Sequence, residues 1–246
     1  MKEKYRIVHL PKEKWQGTVL PIGYTTQEYY DVAVDRQESG FTFTIRKKKF
    51  GRPVTHTPEE YDCPDRLYAE YYPEARAWGV LEAGRLVAAI ETCPEIWSNR
   101  LLVTELWIDA PFRKQGLGHA LMEVAKKQAL REHRRAVILE TQSCNVNAVD
   151  FYLHEGFTLI GLDSCCYGNN DLARKEVRLN LGWFPPQKAK PSDGENGIRP
   201  GRGRVHVRFA RCAAAAARYV GVFTPGRRGG AGQPARYSRR KISGPS

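Results

Sequence analysis

The sequence lacks any apolar run near the roughly 18 residues that a membrane-crossing helix needs. Its opening stretch, MKEKYRIVHLPKEKW, also lacks the apolar core of a secretory signal. A cytoplasmic protein is the expectation. The six cysteines, at 63, 93, 144, 165, 166 and 212, show no paired CxxC spacing and are too sparse for a disulfide scaffold. Cys165 and Cys166 are neighbours, poorly placed to bridge each other, so free thiols are expected. His9, His56, His119, His133 and His154 fall at no ligand spacing, and no metal is expected.

Excess charge is missing from most of the chain. The formal charge is +12, from 39 Lys plus Arg against 27 Asp plus Glu. Residues 187–246 hold 14 of the basic residues against only Asp193 and Glu195, which leaves 25 of each sign in residues 1–186 and a net charge of zero there. Nucleic-acid binding is therefore not expected except through that tail. The tail is rich in Arg, Gly, Ala and Pro, with five consecutive alanines at 213–217 and no acid after Glu195. It has too little large apolar surface to offset its ordering entropy, and disorder is expected. An anion-binding arm and an accidental extension both account for its composition. The expected division is one domain over 1–186 followed by the tail, as monomer or homodimer.

Within 1–186 strand and helix patterns alternate. FTFTIRKK (41–48) has period two, and AWGVLEAGRLVAAIETC reads as two strands joined at Ala83, Gly84 and Arg85. LLVTELWI (101–108) is apolar on both faces apart from Thr104 and Glu105, as a central strand covered on both sides would be. Leu117, Leu121, Val124, Ala125 and Gln128 form one stripe of a helix, with Glu123, Lys126, Lys127 and Arg131 facing elsewhere. AVILETQ (136–142) is a strand, VNAVDFYLHEGF (146–157) a helix closed near Gly156, TLIGLDSCCYG a strand, and KEVRLNLGW (175–183) the last. This order implies a mixed α/β fold with parallel crossovers. The run Arg46, Lys47, Lys48, Lys49 is read as a solvated edge.

Between the central strand and the helix stands RKQGLG (113–118). A glycine-containing turn at a helix entrance leaves unpaired N–H groups at the positive end of the helix dipole, where a phosphate can satisfy them. A plain tight turn explains the same residues. The Walker GK[ST] is absent, and GxGxxG is not completed because position 121 is Leu.

Arg113, Gly116 and Gly118 form R-x-x-G-x-G. Some 30 residues on, Asn145, Ala148, Phe151 and Tyr152 form N-x-x-A-x-x-F-Y, followed by Gly156 and Phe157. With these motifs the sequence resembles the GNAT acetyltransferase superfamily. Residues 139–163 are most similar to its streptothricin acetyltransferase branch. The resemblance spans roughly residues 60 to 184.

The resemblance implies a GNAT-type mixed sheet, parallel at its centre and flanked by helices, that binds acetyl-coenzyme A. It assigns Arg113, Lys114, Gln115, Gly116, Leu117 and Gly118 to the pyrophosphate. The backbone at Trp107 and Ile108 would hold the pantetheine arm, and Asn145 would contact the cofactor, although capping of the following helix accounts for Asn145 equally. Tyr152 would be the general acid that protonates the departing thiolate, although a ring simply packed against the core also accounts for it.

A base is sought as a carboxylate in an apolar strand, where desolvation raises its pKa. Glu105, sharing a strand face with Leu101, Val103 and Trp107, is that candidate, with Glu140 in reserve. Family members vary here, and many deprotonate through water. Glu91, Glu95, Glu105, Glu140 and Asp163, on or beside strands, would suit a small cationic amine such as a streptothricin-type antibiotic; solvated strand ends explain most of them as well. A protein or peptide N-terminus as acceptor, a cofactor-binding module without turnover and a nucleic-acid binder are the competing expectations.

Overall fold

The computed structural model describes residues 5–60 and 64–186. The basic tail and its expected disorder lie outside the described residues. The described strands are β1 (Ile7–Leu10), β2 (Tyr24–Gln37), β3 (Gly40–His56), β4 (Arg76–Glu82), β5 (Arg85–Glu95), β6 (Arg100–Ile108), β7 (Ala136–Gln142), β8 (Thr158–Asp163) and β9 (Arg178–Trp183). The helices are α1 (Lys12–Trp15), α2 (Leu117–Arg131), α3 (Val146–His154) and α4 (Asp171–Arg174). None of them is long and apolar enough to cross a membrane.

Seven strands form one sheet in the order β1-β4-β5-β6-β7-β9-β8, and β2 pairs with β3 as a separate ribbon. The fold is the expected mixed α/β sheet, with its parallel pairing confined to the central β6–β7 pair. Every other neighbouring pair is antiparallel. β7 and β8, joined through α3, do run the same way, but β9 returns between them and pairs with both. The β4–β5 turn carries left-handed Ala83 (φ 50°) and Gly84 (φ 79°), the conformation a two-residue hairpin turn requires.

The expected stripe of α2 is buried at Leu117, Leu121, Ala125 and Gln128. Lys126 departs from expectation: it is buried, its ammonium lying 3.1 Å from both Glu123 and Glu155. Its alkyl stem follows the helix surface and only the charged head needs a partner. Two of the four residues read as a solvated edge on β3 are also paired, Lys47 with Asp150 and Lys48 with Asp31, each at 2.6 Å.

Each face of the sheet has its own core. Leu101, Val103, Leu121, Tyr152 and Phe157 pack together under α2 and α3. Leu10, Leu20, Leu67, Tyr68 and Trp107 pack on the opposite face. Between β5 and β6 the register shifts: Thr92 faces Val103 but Glu91 faces Glu105, so Thr104 is an extra residue. That bulge inverts the side-chain alternation. Glu105 and Trp107 consequently face away from Leu101 and Val103, which corrects the single strand face expected for all four.

Gly79 of β4 marks the closest approach in this sheet. A Cβ there would lie 2.6 Å from the Ala88 carbonyl oxygen and 2.9 Å from Leu10 Cδ1. Gly79→Ala is expected to cost about 1–3 kcal/mol of stability by overpacking, read as a lower denaturant midpoint; an unchanged midpoint would contradict this packing.

Candidate active site

β6 and β7 pair only from Arg100–Leu102 to Ala136–Ile138. Beyond that point β7 continues along β9 to Gln142 and β6 continues along β5 to Ile108. The two central strands part, and from Val103 onward β6 has one edge with no strand beside it among the described residues. Backbone N–H and C=O groups on such an edge need partners, and an extended ligand can supply them. Trp107 and Ile108 end this free edge.

The loop that follows is held by its own polar groups. Arg113 Nε donates to the Ile108 carbonyl at 2.9 Å, Gln115 Nε2 donates to the Pro111 carbonyl at 2.9 Å, and the Tyr5 hydroxyl donates to Gln115 Oε1 at 2.8 Å. The Arg113 guanidinium and the Gln115 amide thus shape the loop from within. Lys114 (φ 58°) and Gly116 (φ 85°) are both left-handed. The α2 ladder starts with the Ala120 N–H on the Gly116 carbonyl at 3.0 Å. The N–H groups of Leu117, Gly118 and His119 therefore precede the first intrahelical bond, at the positive end of the dipole.

The two glycines serve different purposes. A Cβ at Gly116 would meet nothing within 4 Å, so its requirement is the left-handed turn, with open space above it. A Cβ at Gly118 would come 3.1 Å from Phe151 Cζ and 3.2 Å from Ile108 Cδ1. Gly118 thus lets α3 and the end of β6 close on the first turn of α2.

α3 carries Tyr152 into the core beneath α2, within electrostatic reach of Glu105. Its ring packs against Phe151 and Phe157, at 5.4 and 6.0 Å between centroids. Its hydroxyl makes no hydrogen bond among the described residues. Burial first, and then the charge of Glu105, raise its pKa, so the phenol keeps its proton. Asn145 caps α3, its Oδ1 accepting the Ala148 N–H at 3.3 Å.

From the other face comes Glu105. Four of the five carboxylates named from the sequence have partners: Glu91 accepts the Tyr68 N–H at 2.5 Å and the Thr104 hydroxyl at 2.8 Å, Glu95 pairs with Arg100 at 2.6 Å, and Glu140 and Asp163 pair with Arg178 at 3.0 and 3.3 Å. Among the described residues Glu105 has no hydrogen bond or ion pair. Its pKa is pushed up to about 9, by burial first and then by the charges of Asp65 and Glu91. Asp65 and Tyr72, which the sequence reading did not single out, complete this acidic corner. The pKa of Tyr72 is raised by burial first, then by the charges of Glu140, Tyr71 and Glu105. Elsewhere, His119, Glu123 and Glu155 converge within 4.8 Å, and the Lys126 ammonium supplies the positive charge between the two carboxylates.

The Glu105 carboxyl binds its proton more tightly folded than unfolded, where its pKa is near 4.5. The stability it contributes is complete below that value and is lost as the pH rises through about 9. Glu105→Gln, which cannot ionise, should melt above wild type at about pH 8, with the gap closing near pH 5. Parallel melting curves across that range would contradict the burial.

The chain matches the sequence model of the Acetyltransferase (GNAT) family over residues 41–157. It is 31% identical over 161 residues, 65% of this chain and 85% of the relative, to a streptothricin acetyltransferase of Escherichia coli. Its fold matches a crystal structure of nourseothricin acetyltransferase with a TM-score of 0.57 at 24% identity, covering 74% of this chain and 99% of that one. It also matches a putative streptothricin acetyltransferase of Bacillus anthracis str. Ames, solved in complex with acetyl coenzyme A, with a TM-score of 0.55 at 18% identity over 74% and 98% of the two chains. A parted central strand pair, a glycine turn opening a helix and these relatives agree: the chain belongs to the GNAT family of acetyltransferases, enzymes that use acetyl-coenzyme A.

Proposed function

We propose that the protein acetylates a primary amine of a small cationic molecule of the streptothricin class. The observation that carries this reading is Glu105, a sheltered carboxyl without a partner, at the parting of β6 and β7 and across it from Tyr152. The name of the E. coli relative, aligned over 85% of its length, supports the class of acceptor.

Acetyl-coenzyme A supplies a thioester whose acyl group passes to the amine nitrogen as its thiol is released. The N–H groups of Leu117, Gly118 and His119 and the open side of Gly116 fit its pyrophosphate, with Lys114 and Gln115 shaping the approach and Arg113 anchoring the loop. The free edge of β6 up to Trp107 and Ile108 holds the extended arm and aims an N–H donor at the oxygen where charge develops. Asn145, at the head of α3, borders the same space.

A carboxyl that is protonated near neutrality becomes a base when an ammonium group arrives. The ammonium charge beside Glu105 favours the ionised form, offsetting Asp65 and Glu91. Glu105 then takes the proton that leaves the amine neutral for attack. The Tyr152 hydroxyl, kept protonated by burial, donates to the departing sulfur. The acidic corner thus attracts a cation and uses its charge to set the base.

Thiol release measured with acetyl-coenzyme A and a panel of amines that includes streptothricin tests this. Wild-type protein is expected to release thiol with streptothricin, and Glu105→Gln and Tyr152→Phe to lower kcat by about 10²- to 10⁴-fold. No release with any amine, or unchanged rates in both variants, would contradict the assignment.

A further inference from the structure

Along β6, β7 and β9 the core beneath α2 and α3 takes Leu101 and Val103, Val137 and Leu139, and Leu179 and Leu181. By strand alternation Leu102, Ile138, Glu140, Arg178 and Asn180 face the other side. A cavity of about 410 Å³ lies on that side, with Glu95 and Arg100 at one wall and Glu140, Arg178, Asn180 and Ile160 at the other. This volume falls within the range that holds small-molecule ligands. The bulge at Thr104 puts Glu105 on this same face, and the cavity lies over the paired stretch of β6 and β7, from Leu102 and Ile138 back to Arg100 and Glu95 and across to β9 and β8. Tyr72 lies within electrostatic reach of both Glu105 and Glu140.

The lining is polar and mixed in sign. Glu140 is about half exposed on Arg178, which also holds Asp163, while the Arg178 Nε–H is buried and has no acceptor among the described residues. A buried donor left unpaired is costly. An acceptor entering the cavity can pair with this donor while both ion pairs persist, and the half-exposed Glu140 still presents a face to another cation.

We propose that this cavity holds the part of the acceptor remote from the reacting amine, and that Glu140, Arg178 and Asn180 select a polyfunctional cation bearing a second ammonium group and carbonyl or hydroxyl oxygens. The inference rests on the acetyl-transfer reading above and adds to it where along the sheet the acceptor extends and which groups it carries. Glu140 meets the second ammonium; Asn180 and the Arg178 guanidinium donate to the oxygens. A simple monoamine reaches Glu105 and leaves the cavity to water.

The test is steady-state kinetics of the full chain with streptothricin, comparing wild type, Asn180→Ala and Ile160→Trp. Ile160 is partly exposed and carries no polar group, so tryptophan there fills the cavity without removing a charge. The expected result is a rise of at least fivefold in KM for streptothricin in both variants, with kcat changed less than threefold and KM for acetyl-coenzyme A within twofold of wild type. The retained acetyl-coenzyme A KM shows that the variants fold. A smaller rise in Ile160→Trp overturns the assignment of the cavity. If wild-type protein releases no thiol with streptothricin, the functional reading itself fails and the inference with it, a result distinct from active wild type with unaffected variants.

Discussion

The parting of β6 from β7 after Leu102 and Ile138 is the constraint on which the site depends. A continuous parallel pair would satisfy both backbones and leave no edge for a ligand. Here β7 is drawn along β9 as far as Gln142, while β6 stays with β5. The cost of an unpaired edge in the middle of a sheet is met where the helices approach. Gly118, with Phe151 and Ile108 against it, lets α2 and α3 close over the gap.

The bulge at Thr104 is the second element of the arrangement. Without it Glu105 would share the face of Val103 and point beneath the helices, into the same core as Tyr152. With it, base and acid candidates approach the gap from opposite sides of the sheet. The bulge is held where it occurs, because the Thr104 hydroxyl and the Tyr68 N–H both donate to the buried Glu91 carboxylate. Glu91 is thus a structural acid, whose hydrogen bonds hold the bulge that leaves Glu105 unpaired, while burial first, and then the charges of Asp65 and Glu91, raise the Glu105 pKa. Perturbed titration of this kind, without a structural partner, is the physical basis on which Glu105 is proposed as the base.

Much of this was legible in the sequence. The glycine turn, the strand before it, the α2 stripe and the N-x-x-A-x-x-F-Y helix are local patterns, set by spacing and backbone preference. Glu105 stood out because it interrupts an apolar strand. What could not be read depends on pairing at a distance. The extra residue at 104 exists only in relation to β5, so strand alternation alone puts Glu105 on the face of Val103. β2 is not legible from its sequence because YTTQEYYDVAVDRQ alternates poorly; its polar residues become explicable once Lys47 and Tyr30 meet Asp150 on α3. Lys126 reads as a surface residue until Glu155, 29 positions later, is seen opposite it. Asp65 and Tyr72 carry no motif and matter only through their nearness to Glu105.

Acetyl transfer at this site requires that the free edge of β6 take up an extended ligand. Amide hydrogen exchange of the full chain, with and without saturating coenzyme A, measures this directly. The account predicts that the N–H groups of Val103–Ile108 facing β7 slow at least tenfold more than the amides of β4 and β9, whose partners do not change. Equal slowing throughout the sheet, or none in β6, would contradict it.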